Sequence, residues 1–292
     1  MIILQLKKRT TVHELKLIAN DLRKKVVTMI YEAKSGHPGG SLSAADYIAA
    51  VYFREIRVDP QNPKWEDRDR FVLSKGHVCP VLYAALAKRG FFDEELIHTL
   101  RQEGSFLQGH PSMVCPGIDI PTGSLGQGLA CAVGMAIAGK RDGKNYRVFA
   151  VLGDGECQEG EIWEAAQTAN KYELDNLVVF VDNNNLQIDG TTDEVMPTLD
   201  LGDKFKAFGF EVYKIDGHNM DQIVRTLDTV RLRRKSHRPK CIVGQTIKGR
   251  GVEFMENIGG WHGIAPKQDE FEEAIQELDS IDEILALEAD EQ

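Results

Sequence analysis

The chain has 292 residues, 42% of them hydrophobic and 27% charged, with a formal net charge of −10. That composition is expected of a soluble globular protein with a sizeable core. The acidic balance speaks against nucleic-acid binding, where a basic face is expected, and no stretch approaches the ~20 apolar residues of a membrane span. The five cysteines (Cys79, Cys115, Cys131, Cys157 and Cys241) are odd in number and scattered, with no CxxC pair. They point to free thiols in a reducing cytoplasm, neither a disulfide framework nor a zinc site. The N-terminal MIILQLKKRT has too short an apolar run for a signal peptide, and its basic residues follow that run.

Along the chain, residues 11–33 carry Leu15, Ile18, Leu22, Val26, Met29 and Ile30 at helical spacing, with Thr10 or Thr11 as the cap. The Gly/Pro/Ser segment 35–43 is expected to break this helix, and a second helix to run over about 44–53. Residues 59–63 read as a turn and 70–74 as a short strand, followed by a helix through Leu82 and Leu86. Residues 126–139 read as a small-residue helix suited to close packing. Apolar strands over 147–152 and 177–182 flank a helix over 162–172. Two continuous apolar strands joined by a helix make a βαβ unit, which implies a parallel sheet buried on both faces. The alternation continues with a strand over 211–215, a helix over 220–234 and a strand over 241–245. From about residue 268 the pattern is of acidic amphipathic helices. The expected fold is α/β, a mostly parallel twisted sheet with helices on both faces, in a single domain over 1–292 that ends in an acidic helical tail over 266–292. Ligands of such sheets sit beyond the carboxyl ends of the strands, here the loops after Leu152, Val181 and Gln245.

Two of those loops carry hard oxygen donors. Gly153-Asp154-Gly155 closes one strand, and Asp182-Asn183-Asn184-Asn185 closes the next, one crossover later. Asp154 offers a carboxylate and Asn184 an amide oxygen, a set that suits magnesium or calcium with phosphate oxygens and water. The flanking glycines let the backbone approach a diphosphate closely. Asp182 is a second carboxylate in the same loop and competes with Asn184 on composition alone.

Five of the eight histidines sit in Gly- or Pro-rich loops: SGHPG around His37, SKGH ending in His77, QGHP around His110, DGH ending in His218 and GWHG around His262. Glycine beside histidine permits tight turns that aim imidazoles into a shared cleft. Imidazoles there can donate to sugar oxygens and shuttle protons near neutral pH.

In chain order, SGHPG, DRFVLSKGH, GHP, TGSLGQGLACAVG, GDGECQEG, DNNNLQIDG and KGRG…WHG resemble the transketolase family over essentially the whole chain. The resemblance implies thiamine diphosphate as cofactor and a divalent metal, Mg2+ or in its place Ca2+ or Mn2+. It gives the metal to Asp154, Asn184 and the Leu186 carbonyl, favouring Asn184 over Asp182. It implies that His37, His110 and His262 line the substrate channel as the catalytic imidazoles. Cofactor contacts would come from Gly40, His77, Gly123, Ser124, Leu125, Asp154, Gly155, Asn184, Lys248 and His262. Glu159 matches an acid at a subunit interface, and His218 has no counterpart.

The family transfers a two-carbon glycolaldehyde unit from a ketose phosphate to an aldose phosphate. Its activating glutamate and its sugar-phosphate arginines lie in a second domain. A whole transketolase is more than twice as long, so the resemblance is to the first domain only. It implies an N-terminal transketolase subunit with a C-terminal partner subunit in an α2β2 heterotetramer, acting on sugar phosphates in cytoplasmic pentose phosphate metabolism. An N-terminal piece of a longer enzyme would read the same. GDG…NN is also shared by 1-deoxyxylulose-5-phosphate synthase and by 2-oxo acid dehydrogenase subunits, and a non-catalytic paralogue would keep the fold. SGHPG, GHP and WHG lean towards transketolase.

Overall fold

Thr11 is the residue that starts the first helix. In the computed structural model, which describes residues 9–290, Thr11 and Glu14 form a capping box at the head of α1 (Val12–Ala33). The N-terminal apolar run and the last two residues of the acidic tail lie outside the described residues. The break after α1 spans only residues 34–37. Pro38 needs no donor partner in a first helical turn, and α2 (Pro38–Ser43) begins there, earlier than the glycine and serine content suggested. α3 (Ala45–Ala50) follows and runs into a π-helical turn, Val51–Glu55.

Next come β1 (Arg70–Leu73), α4 (Cys79–Lys88), α5 (Gln127–Arg141), β2 (Val148–Gly153), α6 (Gly160–Lys171) and β3 (Leu177–Asn183). A hairpin of β4 (Leu186–Gln187) and β5 (Gly190–Thr191) leads to α7 (Thr192–Val195) and α8 (Leu201–Ala207). The sequence reading had none of these four, because elements so short show no period. β6 (Glu211–Asp216), α9 (Met220–Leu232) and β7 (Lys240–Gln245) complete the sheet. α10 (Gln268–Asp290) is one helix, not several, and it packs along α1. Asn20 donates to the Leu278 carbonyl (2.7 Å) and Lys24 bridges to Asp282 (2.6 Å).

The five main strands are all parallel, in the order β1-β2-β3-β7-β6. Two adjacent rows across the sheet show why it is buried on both sides. Leu73, Val151, Phe180, Ile242 and Tyr213 are in register and face the core built with α1, α3, α4 and α9. Val72, Ala150, Val179, Cys241 and Val212 form the next row and face the core built with α5, α6 and α8. Strand side chains alternate faces, so an unbroken apolar run supplies both cores at once. Each fully buried Val or Phe among them stabilises by about 1.5–3 kcal/mol.

α5 comes unusually close to β1. A Cβ on Gly128 would lie 2.4 Å from Ser74 Oγ and 2.6 Å from Ser74 Cα. Gly128→Ala is therefore expected to push the helix off the strand end and cost about 1–3 kcal/mol, read as a lower urea midpoint. An unchanged midpoint would show that the helix shifts freely. Among the described residues no helix is long and apolar enough to cross a membrane.

Candidate active site

Because the strands are parallel, their carboxyl ends meet at one edge, and the motif loops meet there too. A cavity of about 370 Å3 opens at this edge. His37, Gly40, His77, Gly123, Leu125, Asp154, Gly155, Asn184, Leu186, Lys248 and His262 all line it. Glu159 lines it as well. His110 and Ser124 do not. They line an adjoining hollow of about 440 Å3 that shares Gly123 with the main cavity. The His110 loop is held from behind, where the Tyr83 hydroxyl lies 3.0 Å from the carbonyls of both Gln108 and His110. Arg101 donates to Ser35 Oγ (2.7 Å), tying this region to the SGHPG loop.

Asp154 ends β2 almost fully buried, at 2% exposure. Its Oδ1 accepts from the Gly155 amide at 2.8 Å, and its Oδ2 accepts from the Asn185 amide. Among the described residues no cationic side chain forms an ion pair with it. Burial, reinforced by the nearby Asp182 charge, pushes its carboxyl up to about 6. A buried carboxylate without a paired cation is where a divalent ion would be stabilising. The Asn184 amide oxygen and the Leu186 carbonyl line the same cavity and add hard oxygens of the same kind. The donor set therefore fits Mg2+ or a similar hard cation.

Asp182 competes no longer. It is fully buried, and its oxygens accept from Lys75 Nζ, Ser43 Oγ and Thr246 Oγ1. Burial opposes ionisation, but Lys75 and these hydrogen bonds hold its carboxyl below the usual range. Lys75 also donates to the Gly40 carbonyl at 3.2 Å. This buried pair beneath the metal loops escaped the sequence reading. So did Glu156, which is 3% exposed. Its carboxylate accepts from Ser74 Oγ and from the amides of Gly126 and Gly153, both at 3.0 Å. It thereby ties together the three loops that follow β1, precede α5 and follow β2. Gly126 joins that knot at a φ of 91°, a left-handed conformation that favours glycine. The available signal was a charged residue just after each apolar strand, not only in GDG.

Three imidazoles converge as expected. The rings of His37, His77 and His262 lie 5.1, 5.4 and 5.2 Å apart between centroids. Burial, followed by Arg101, pushes His37 down to about 4; burial, followed by Lys248, does the same to His262. Burial and Lys75 hold His77 lower still, and burial with Arg101 lowers His110. At neutral pH the cluster is uncharged. Positive charge in the cavity comes from Lys248, which is 2% exposed and pushed down to about 8 by burial and then by Lys75. Lys248 Nζ lies 2.8 Å from His262 Nδ1 and donates to the Leu186 carbonyl at 3.3 Å. Four of the five loop histidines thus surround the cavity and the hollow beside it, and His218 stands apart.

Residues 14–284 match the family model described as transketolase, thiamine diphosphate binding domain. One of the two subunits of the apulose-4-phosphate transketolase of Phocaeicola vulgatus is 44% identical over 267 residues, covering 91% of this chain and 94% of that protein. The 6-deoxy-6-sulfo-D-fructose transketolase subunit SqwG of a Clostridium species is 45% identical over 262 residues, covering 89% of this chain and 94% of that protein. Human transketolase is 40% identical over 268 residues, but the chain spans only 42% of its length. The crystal structure of Campylobacter jejuni transketolase superposes with a TM-score of 0.85 at 33% identity, covering 90% of this chain and 42% of that one.

Proposed function

Since this chain belongs to the transketolase family as its thiamine-diphosphate-binding domain, we propose that it is the N-terminal subunit of a split transketolase. With a C-terminal subunit it transfers a two-carbon ketol unit from a ketose phosphate to an aldose phosphate. One observation carries this reading: the chain covers 94% of two relatives named as subunits, yet 42% of a one-chain transketolase. The names of those two relatives point to different sugars, one a phosphate and one a sulfonate, so the family alone leaves the donor open.

When bound, thiamine diphosphate supplies the nucleophilic carbon and electron sink that two-carbon transfer requires. Asp154, Asn184 and the Leu186 carbonyl would hold Mg2+, and Ca2+ or Mn2+ would suit the same oxygens. Lys248, protonated below about pH 8, offers charge to the diphosphate. Gly40, His77, Gly123, Ser124, Leu125 and Gly155 would complete the cofactor contacts. The neutral imidazoles of His37, His110 and His262 would donate to and accept from sugar hydroxyl and carbonyl oxygens and move their protons. Glu159, at the same cavity, would meet the neighbouring subunit. The five free cysteines suit work in the cytoplasm, in an α2β2 assembly.

The expected result is no turnover by the chain alone, and two-carbon transfer from a sugar phosphate once its C-terminal transketolase partner is supplied. Turnover by the chain alone would overturn the split-subunit reading. Activity with pyruvate in place of the sugar donor would overturn the transketolase reading.

A further inference from the structure

His218 lies outside the cavity, yet its ring is nearly buried, with a side-chain exposure of 10%. The Ile247 amide donates to its Nε2 at 2.8 Å. An imidazole nitrogen that accepts carries no proton, so the proton sits on Nδ1, which donates to Asp46 Oδ2 at 2.8 Å. Asp46, on α3, is paired from the other side with Arg23 of α1, whose Nε also donates to the Leu42 carbonyl at 3.3 Å. Burial opposes ionisation of Asp46, but Arg23 and His218 hold its carboxyl below the usual range. The contacts thus form one line from the helical core to the loop after β7: Arg23, Asp46, His218, Ile247.

The end of that line is the stretch that serves the cavity. Thr246, before Ile247, donates its hydroxyl to Asp182. Lys248, after it, lies against His262 and Leu186. The ion pair of Arg23 and Asp46 is complete without a third member, so core stability does not by itself call for histidine here. An imidazole is suited to this place because one rigid ring can donate on one edge and accept on the other.

We propose that His218 is a positioning residue, which holds the Ile247 amide and so sets Lys248 in place for the cofactor diphosphate. The inference rests on the proposed diphosphate role of Lys248. Two measurements on the full chain test it: hydrogen exchange of the 244–250 segment, and calorimetric titration with thiamine diphosphate and Mg2+, in the presence of the C-terminal partner where the chain alone binds weakly. His218→Ala is expected to speed exchange at Ile247 and Lys248 and to weaken cofactor binding about tenfold. His218→Gln is expected to restore both, since its amide can accept from Ile247 and donate to Asp46. In a Lys248→Met background, His218→Ala is expected to cost no further affinity. Equal losses in both backgrounds would assign His218 a general structural role and overturn the proposal. Unchanged loop exchange and affinity in His218→Ala would overturn it as well. A Lys248→Met chain that binds like wild type would instead overturn the diphosphate role of Lys248 and the inference built on it, and a wild-type chain that binds no cofactor with its C-terminal partner present would overturn the cofactor reading itself.

Discussion

Asp154→Ala is expected to abolish metal-dependent binding of thiamine diphosphate while the fold stays intact. The change removes the one carboxylate among the three cavity oxygens that suit a hard cation, and a charged oxygen contributes most to such a site. The expected loss is a hundredfold or more in cofactor affinity measured by calorimetry with Mg2+, beyond the 10–100-fold typical of groups that only support a ligand. Stability should move far less. The two hydrogen bonds that Asp154 accepts come from Gly155 and Asn185, both in the loops themselves. Losing an acceptor for each costs about 1–3 kcal/mol. Against this, the substitution removes a buried carboxyl whose ionisation burial already opposes. A urea midpoint close to wild type, with binding gone, is the expected pair of results. Normal cofactor affinity in the variant would take Asp154 out of the metal site.

The contrast between Asp154 and Asp182 shows what the sequence could reveal. Both aspartates close an apolar strand and both stand in polar loops, so composition could not separate them. The fold itself was legible, because the runs VFAVL and LVVFVD supply both faces of a parallel sheet and leave only one arrangement of flanking helices. The meeting of GDG with Asn184 at one sheet edge followed from that. The contacts that separate the two aspartates were not legible. Lys75 reaches Asp182 across 107 positions and Ser74 reaches Glu156 across 82. No periodicity or spacing encodes a side-chain pair of that kind. His110 illustrates the same limit at shorter range: its GHP loop resembles the others, yet the loop geometry sets its imidazole in the adjoining hollow. The start of α2 was missed for a local reason, since Pro38 and two glycines read as a break although proline is at home in a first helical turn.

Lys75→Met should be the most destabilising single change near the site. Side-chain exposures of Lys75 and Asp182 are 3% and 0%, so removing the ammonium strands a carboxylate in the interior. Breaking a buried pair in this way typically costs about 3–5 kcal/mol, a large share of the ~5–15 kcal/mol that holds a folded domain together. The Ser43 and Thr246 hydroxyls still donate to Asp182 in the variant, but neutral donors do not replace a charge. Adding Asp182→Asn separates the two possible origins of the loss. If the penalty is the stranded charge, the double variant should recover much of the single variant's stability, because a neutral amide remains able to accept from both hydroxyls. If the penalty is lost packing around the lysine stem, the second substitution should recover nothing. Chemical denaturation of the three proteins distinguishes these cases. Recovery of stability without recovery of cofactor binding would show that the pair also serves the site. Lys75 touches the Gly40 carbonyl, and Asp182 holds Thr246 next to the loop that carries Lys248, so the charge pair would then link the fold's interior to the cofactor loops on both sides of the cavity.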